Sequence, residues 1–116
     1  TRYDKFAEYD TFESLLDCDF IFIAVPTPFD DLNKLVNDSA VIESLSKLVE
    51  KGYDKIVIIK STLPPGSCER YSDMYDLEIA FNPEFLREST TPNEDFANQI
   101  VVVIGTNSRD TFVRIR

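Results

Sequence analysis

The sequence FIFIAVPTP, residues 20–28, decides the fold because it contains a whole buried strand together with the residues that end it. Residues 20–25 form an unbroken β-prone apolar run, which is typical of a strand buried on both faces of a parallel sheet. Pro26 and Pro28 then end the strand, because proline cannot donate a ladder hydrogen bond. The stretch therefore predicts a buried parallel strand with a polar end.

A helix is predicted after this strand and a polar connection over residues 29–37. Asp38 or Ser39 can cap it, and Gly52 can take the left-handed conformation that follows a helix. Its apolar residues fall at helical spacing, at Val41, Ile42, Leu45, Leu48 and Val49.

Weaker patterns fill the rest of the chain. Asp10 and Glu13 form a capping box that predicts a short helix over residues 11–16. Further helices are expected over residues 66–74 and after residues 105–108, and a polar loop over residues 90–99. Strands are predicted at residues 56–59, 77–81 and 100–104.

Alternation of strands and helices with long crossovers predicts βαβ units in a mainly parallel sheet, an α/β fold. The 116 residues are enough for one domain, spanning residues 1–116, but not for two cores. Three proline-marked strand ends, at Pro26, Pro64 and Pro83, outline one crevice, because ligands bind outside the carboxyl ends of such strands.

Composition excludes several classes of function. A net charge of -9 and a pI near 4.4 argue against nucleic-acid binding. No apolar run is long enough to span a bilayer, so no membrane association is expected. Cys18 and Cys68 lack metal-site spacing and the chain has no histidine, so no metal is expected. They are interpreted as packing thiols of a reducing compartment, which predicts a cytoplasmic protein.

The block Asn-Pro-Glu-Phe-Leu-Arg-Glu-Ser, residues 82–89, carries two carboxylates four positions apart. If Pro83 opens a helical turn, Glu84 and Glu88 lie on one face of it, where like charges repel. The plain alternative is that both are ordinary solvated acids.

The three strand-end blocks, residues 22–28, 60–67 and 82–89, resemble motifs of the nucleotide-sugar dehydrogenases, the family of UDP-glucose and GDP-mannose 6-dehydrogenases. The resemblance implies the C-terminal portion of an NAD-binding, Rossmann-like, doubly wound domain. The glycine-rich pyrophosphate turn is absent, because Gly52, Gly66 and Gly105 form no such motif. It also implies that the first two strands precede Thr1, and that the nucleophilic cysteine follows Arg116.

The resemblance further implies roles for individual residues. Val25, Pro26 and Thr27 would line the nicotinamide side of the NAD cleft, with Thr27 donating a hydrogen bond. Ser61 and Thr62 would contact the cofactor, and Thr62 would also hold a catalytic water. The alternative is that these hydroxyls only satisfy turns.

Glu84 and Glu88 would form the acid/base pair, because thioester hydrolysis needs a carboxylate that takes a proton from water. Which glutamate is the base stays open, with Glu88 preferred. Glu88 would also contact NAD. The substrate would meet Glu84, Phe85, Leu86 and Glu88.

The implied function is that of an NAD-dependent UDP-glucose 6-dehydrogenase in polysaccharide biosynthesis, homo-oligomeric when full length. It would oxidise the sugar C6 alcohol to a carboxylate in two hydride transfers, and this chain alone would be inactive. Open alternatives are a GDP-mannose or UDP-N-acetylhexosamine dehydrogenase, a hydroxyacid dehydrogenase, and a non-catalytic α/β interaction module.

Overall fold

The computed structural model describes residues 1–84, 91–98 and 102–116. Strand β1 (Phe20–Ile23) is followed by two short strands, β2 (Phe29–Asp30) and β3 (Leu35–Val36). Helix α1, strand β4, helix α2 and strand β5 then alternate, at Ser39–Glu50, Ile56–Ile59, Ser67–Tyr75 and Glu78–Phe81. Helices α3 (Pro92–Ala97) and α4 (Arg109–Ile115) follow.

The main sheet has the strand order β1-β4-β5, and both pairings are parallel. Phe20 pairs with Ile56, which in turn pairs with Glu78. The central strand β4 is buried along its whole length. These features confirm the predicted α/β class with a parallel sheet.

Helices α1 and α2 cover one face of this sheet. Val41 and Leu45 of α1 are 0% exposed, as expected for residues on the apolar face of an amphipathic helix. Burying each such side chain contributes about 1.5–3 kcal/mol. They pack in one cluster with the strand residues Ile21, Ile23, Val57, Ile59 and Ile79.

The opposite face is covered in part by α4. Ile56, Ile58 and Ala80 are buried there, and Phe20 and Ile115 pack against them. Helices therefore lie on both faces of the sheet, which is the doubly wound arrangement that the sequence predicts.

Helix α1 has the predicted limits, and Gly52 beyond it has a φ of 84°. Asp38 stands at the N-cap, but its side chain does not cap the helix and pairs with Arg70 at 3.1 Å instead. The predicted capping box of Asp10 and Glu13 is wrong. Thr11 precedes a 3-10 helix, Phe12–Asp17, with no side-chain cap. The Asp10 carboxylate instead accepts a hydrogen bond from the Arg2 backbone N–H at 2.9 Å.

The predicted plain connection over residues 29–37 is also wrong, because β2 and β3 pair as an antiparallel hairpin within it. The Asp30 carboxylate closes the turn by accepting hydrogen bonds from the backbone of Leu32 and Asn33. Lys34 takes a left-handed φ of 56°. Short side-chain-to-backbone bonds of this kind favour turns.

Two predictions near the C-terminus need correction. The loop predicted over residues 90–99 contains α3, and residues 102–104 of the strand predicted at 100–104 are not in a strand. Residues 100 and 101 lie outside the described residues. Gly105 instead forms a single antiparallel bridge with Phe81, with two hydrogen bonds of 2.7 Å. Helix α4 confirms the predicted terminal helix.

Across the described ranges, every helix is too short or too polar to cross a membrane.

Candidate functional site

An open cleft of about 460 Å³ lies at the carboxyl ends of β1 and β4. Ala24 and Lys60 line it together with six residues that the sequence predicts to be functional: Val25, Pro26, Thr27, Ser61, Thr62 and Glu84. The structure thus brings three sequence-distant blocks to one place. Phe85, Leu86 and Glu88 were also predicted to belong to the site, but they lie outside the described residues. The helical turn that would place Glu84 beside Glu88 lies partly there too.

Ser61 connects the two strand ends that form the cleft. Its hydroxyl donates to the Val25 carbonyl at 2.7 Å and accepts from the Val25 N–H at 2.9 Å. The side chain therefore replaces a ladder residue and holds β1 and β4 together just beyond their last backbone pair. These two hydrogen bonds occupy the Ser61 hydroxyl, and the residue is only 8% exposed.

Thr27 and Thr62 are joined directly. The Thr27 hydroxyl donates to the Thr62 carbonyl at 2.7 Å. A hydroxyl has one proton and two lone pairs, so Thr27 Oγ1 in this geometry faces a ligand as an acceptor. The resemblance predicts the opposite direction, with Thr27 donating to the cofactor.

Glu84 is held by a lysine from the neighbouring strand end. Lys60 Nζ lies 2.5 Å from Glu84 Oε1 and donates to Asn82 Oδ1 at 2.9 Å. The side chains of Lys60 and Glu84 are 23% and 26% exposed, so this ion pair is partly shielded from water. The opposite charges of Lys60 and Glu84 attract each other and hold the two side chains together at the edge of the cleft.

Sequence reasoning gave no role to Lys60 or Asn82. Lys60 follows the buried strand β4, and its backbone N–H donates to the Ile23 carbonyl at 2.8 Å. Asn82 follows β5, and its N–H donates to the Ile59 carbonyl at 2.9 Å. A lysine and an asparagine at the same edge of neighbouring parallel strands are a signal that could have been used.

The charges of the cleft indicate what kind of chemical group fits it. Among the described residues that line it, Lys60 is the one cation, and Glu84 neutralises it. Pyrophosphate needs positive charge or a row of backbone N–H groups at a glycine-rich turn. Hydroxyls beside Val25 and Pro26 instead suit a flat, partly apolar group that carries no phosphate.

Neither cysteine is placed as a reactive nucleophile. Both thiols are unpaired by disulfides. Burial, and secondarily the charge of Glu69, raises the pKa of Cys68 to about 11. Because of this raised pKa, Cys68 stays protonated at neutral pH. Since the thiolate is the reactive form, the protonated thiol is a poor nucleophile. Cys18 donates weakly to the Ser14 carbonyl and packs against the core.

A parallel sheet covered by helices on both faces, with a polar cleft at the carboxyl ends of its strands, defines a Rossmann-like nucleotide-binding domain. The sequence model of one family matches residues 3–116, and its description is the NAD binding domain of the UDP-glucose/GDP-mannose dehydrogenase family. The chain belongs to that family.

Curated relatives agree with this assignment. The UDP-glucose 6-dehydrogenase of Rickettsia prowazekii is 36% identical over 107 positions, covering 84% of this chain and 24% of the relative. The enzyme of the same name from Campylobacter jejuni is 32% identical over 109 positions, covering 88% and 28%. That of Streptococcus pneumoniae is 33% identical over 97 positions, covering 82% and 24%. The chain spans about a quarter of the length of these relatives.

Proposed function

We propose that this chain serves as the C-terminal portion of the NAD-binding domain in an NAD-dependent UDP-glucose 6-dehydrogenase. The observation that carries the proposal is the cleft that gathers Thr27, Thr62 and Glu84 at the carboxyl ends of neighbouring strands. The relatives named as UDP-glucose 6-dehydrogenases support UDP-glucose over other nucleotide sugars. The reaction is oxidation of the sugar C6 alcohol to a carboxylate in two hydride transfers.

The cleft contributes the nicotinamide side of the cofactor site. Bound NAD supplies the hydride acceptor. Val25 and Pro26 present the apolar wall, and Thr27 Oγ1 accepts a hydrogen bond from the ligand. Ser61 keeps this wall in place through its two hydrogen bonds to Val25, so we assign its contribution to positioning and to its backbone.

Thr62 and the two glutamates handle the proton and the water. The Thr62 side chain is exposed in the cleft that Glu84 also lines, so its hydroxyl can hold a water near that carboxylate. In the last step, water attacks a thioester carbon, the C–S bond breaks, and a glutamate takes the proton of the water. The cysteine that carries the thioester is neither Cys18 nor Cys68.

Glu84 is the acid that the structure describes in the cleft, and Glu88 remains the second member of the proposed pair. Glu88 is also proposed to contact NAD. Phe85 and Leu86 are proposed to contact the nucleotide sugar partly through their backbone groups. These three proposed contacts rest on the resemblance of residues 82–89 to the family motif.

The proposed function is tested by turnover of the complete dehydrogenase with UDP-glucose, GDP-mannose and a UDP-N-acetylhexosamine. We expect UDP-glucose to give the highest kcat/KM, with two NADH formed for each carboxylate product identified by mass spectrometry. Thr62→Ala should lower kcat, and Thr11→Ala, outside the cleft, should not. A single NADH per sugar with an aldehyde product, or no turnover of any nucleotide sugar, overturns the proposal.

A further inference from the structure

Two acceptors that follow β5 converge on one ammonium group that follows β4. Lys60 Nζ contacts Asn82 Oδ1 at 2.9 Å and Glu84 Oε1 at 2.5 Å. An ammonium group has three protons, so it can serve both acceptors at the same time. One side chain thus links the carboxyl ends of two parallel strands where the cleft opens.

The second lysine that flanks β4 shows how different this contact is. Lys55 precedes the strand and lies 3.5 Å from Asp19, with 40% and 75% of the two side chains exposed. Water screens the attraction in exposed pairs of this kind, so they hold their side chains in place only weakly. Lys60 and Glu84 are both about three-quarters buried, and their contact is shorter.

The Asn82 side chain is held at both ends. Its amide nitrogen donates to the Val103 carbonyl at 2.7 Å, while its oxygen accepts from Lys60. The orientation of this amide is therefore fixed by a donor on one side and an acceptor on the other. Through it, Lys60 is anchored to the segment that leads to the Gly105 bridge.

We propose that Lys60 is a positioning residue that fixes the Glu84 carboxylate in the cleft by pairing with it and with Asn82. The inference rests on the proposed function, in which Glu84 acts on water or substrate. Lys60 itself touches neither in this assignment. Its role is to keep Oε1 of Glu84 in one place, so that the direction in which the carboxylate accepts a proton is set before the substrate arrives.

The geometric half of the proposal is tested on this 116-residue chain by NMR. In Lys60→Met, we expect the Asn82 side-chain amide signals and the Glu84 carboxyl carbon signal to shift. In the matched variant Lys55→Met, at the other end of the same strand, they should stay in place. Equal responses to both variants overturn the proposal. If Lys60→Met does not fold, nuclear Overhauser effects between the Lys60 and Glu84 side chains are measured in the unchanged chain. Their presence supports the contact, and their absence overturns the proposal.

The functional half is tested in the complete dehydrogenase. We expect Lys60→Met to lower kcat by about 10- to 100-fold, with KM for NAD little changed, because misplacing a reacting group by about 1 Å costs this much. Lys60→Arg should recover part of the loss, since arginine keeps the charge. An active parent enzyme with unchanged kcat in Lys60→Met overturns the role of Lys60 alone. An inactive parent enzyme overturns the proposed function instead, and the NMR comparison then decides the positioning contact.

Discussion

Ser61 and Val25 exchange two hydrogen bonds across the ends of β1 and β4, although one partner uses only its side chain. Ser61 Oγ donates to the Val25 carbonyl and accepts from the Val25 N–H, at 2.7 and 2.9 Å. The wall of the cleft is thereby attached to the strand next to it. Loss of the hydroxyl would leave both backbone groups of Val25 without this partner.

Ser61→Ala is expected to destabilise the chain by about 1–3 kcal/mol, the usual result of leaving partly buried polar groups unpaired. Urea denaturation measures the change. Ser44→Ala is the control, because the Ser44 hydroxyl donates only to the Ala40 carbonyl of its own helix. If both variants lose the same small amount, the Ser61 contact does not hold the two strands together.

Affinity for NAD should be low in this chain by itself. The cleft offers hydroxyls and a neutralised lysine, and the sequence contains no glycine-rich pyrophosphate turn. We expect a Kd weaker than about 1 mM, which corresponds to about 4 kcal/mol of binding free energy. Calorimetric titration measures it. Micromolar binding would mean that the pyrophosphate has a site in this chain that we have not identified.

Replacing the catalytic base with glutamine in the complete dehydrogenase should spare the first oxidation and stall thioester cleavage. Glutamine keeps the shape but cannot take a proton from water, so this step should slow by roughly 10²- to 10⁴-fold. Glu84→Gln and Glu88→Gln enzymes, quenched during turnover, are examined by mass spectrometry for covalently bound sugar nucleotide. The variant that accumulates the adduct identifies the base. Normal turnover by both variants would show that the two glutamates are ordinary solvated acids.

Stability should fall steeply in alkaline solution. Burial raises the pKa of Tyr71 from 10.0 to about 12, helped by its hydrogen bond to Asp38, and burial raises the pKa of Tyr53 to about 12 as well. The unfolded chain therefore loses these protons first as pH rises. Their contribution is complete below pH 10 and is lost as pH rises towards 12.

The measurement is the urea midpoint as a function of pH, with Tyr71→Phe and the exposed-site control Tyr9→Phe. Tyr71→Phe should flatten the decline above pH 10, and Tyr9→Phe should leave it unchanged. A decline of equal steepness in all three proteins would assign the alkaline loss to other groups.

The sequence was sufficient for the elements whose side chains form one continuous pattern. The strand residues 20–23 and 56–59 are apolar without interruption, and α1 repeats its apolar residues at helical spacing. For β4 and α1 these patterns match the observed burial, on both faces and on one face respectively, so the parallel sheet could be predicted. The predicted burial of β1 on both faces is wrong, because Phe22 is 57% exposed. The convergence of Thr27, Thr62 and Glu84 followed from the rule on strand ends.

What the sequence did not predict depends on competition between polar partners. Asp10 fits the capping-box pattern, yet its carboxylate binds the Arg2 backbone, which no local rule favours. The hairpin strands have two residues each, too few for a periodic pattern. The Lys60 pair joins residues that follow two different strands, and its geometry depends on the register of β4 against β5.

The position of β4 between β1 and β5 also constrains how the chain reaches its native state. Neither of its two ladders is local, because a helix separates Ile56 from both of its partners, Phe20 and Glu78. Closing these loops costs entropy before the ladder bonds form, so folding should be slower than that of a helical bundle of the same size. Amide protons of Ile56–Ile59, once bonded, should exchange with solvent only when the whole domain unfolds.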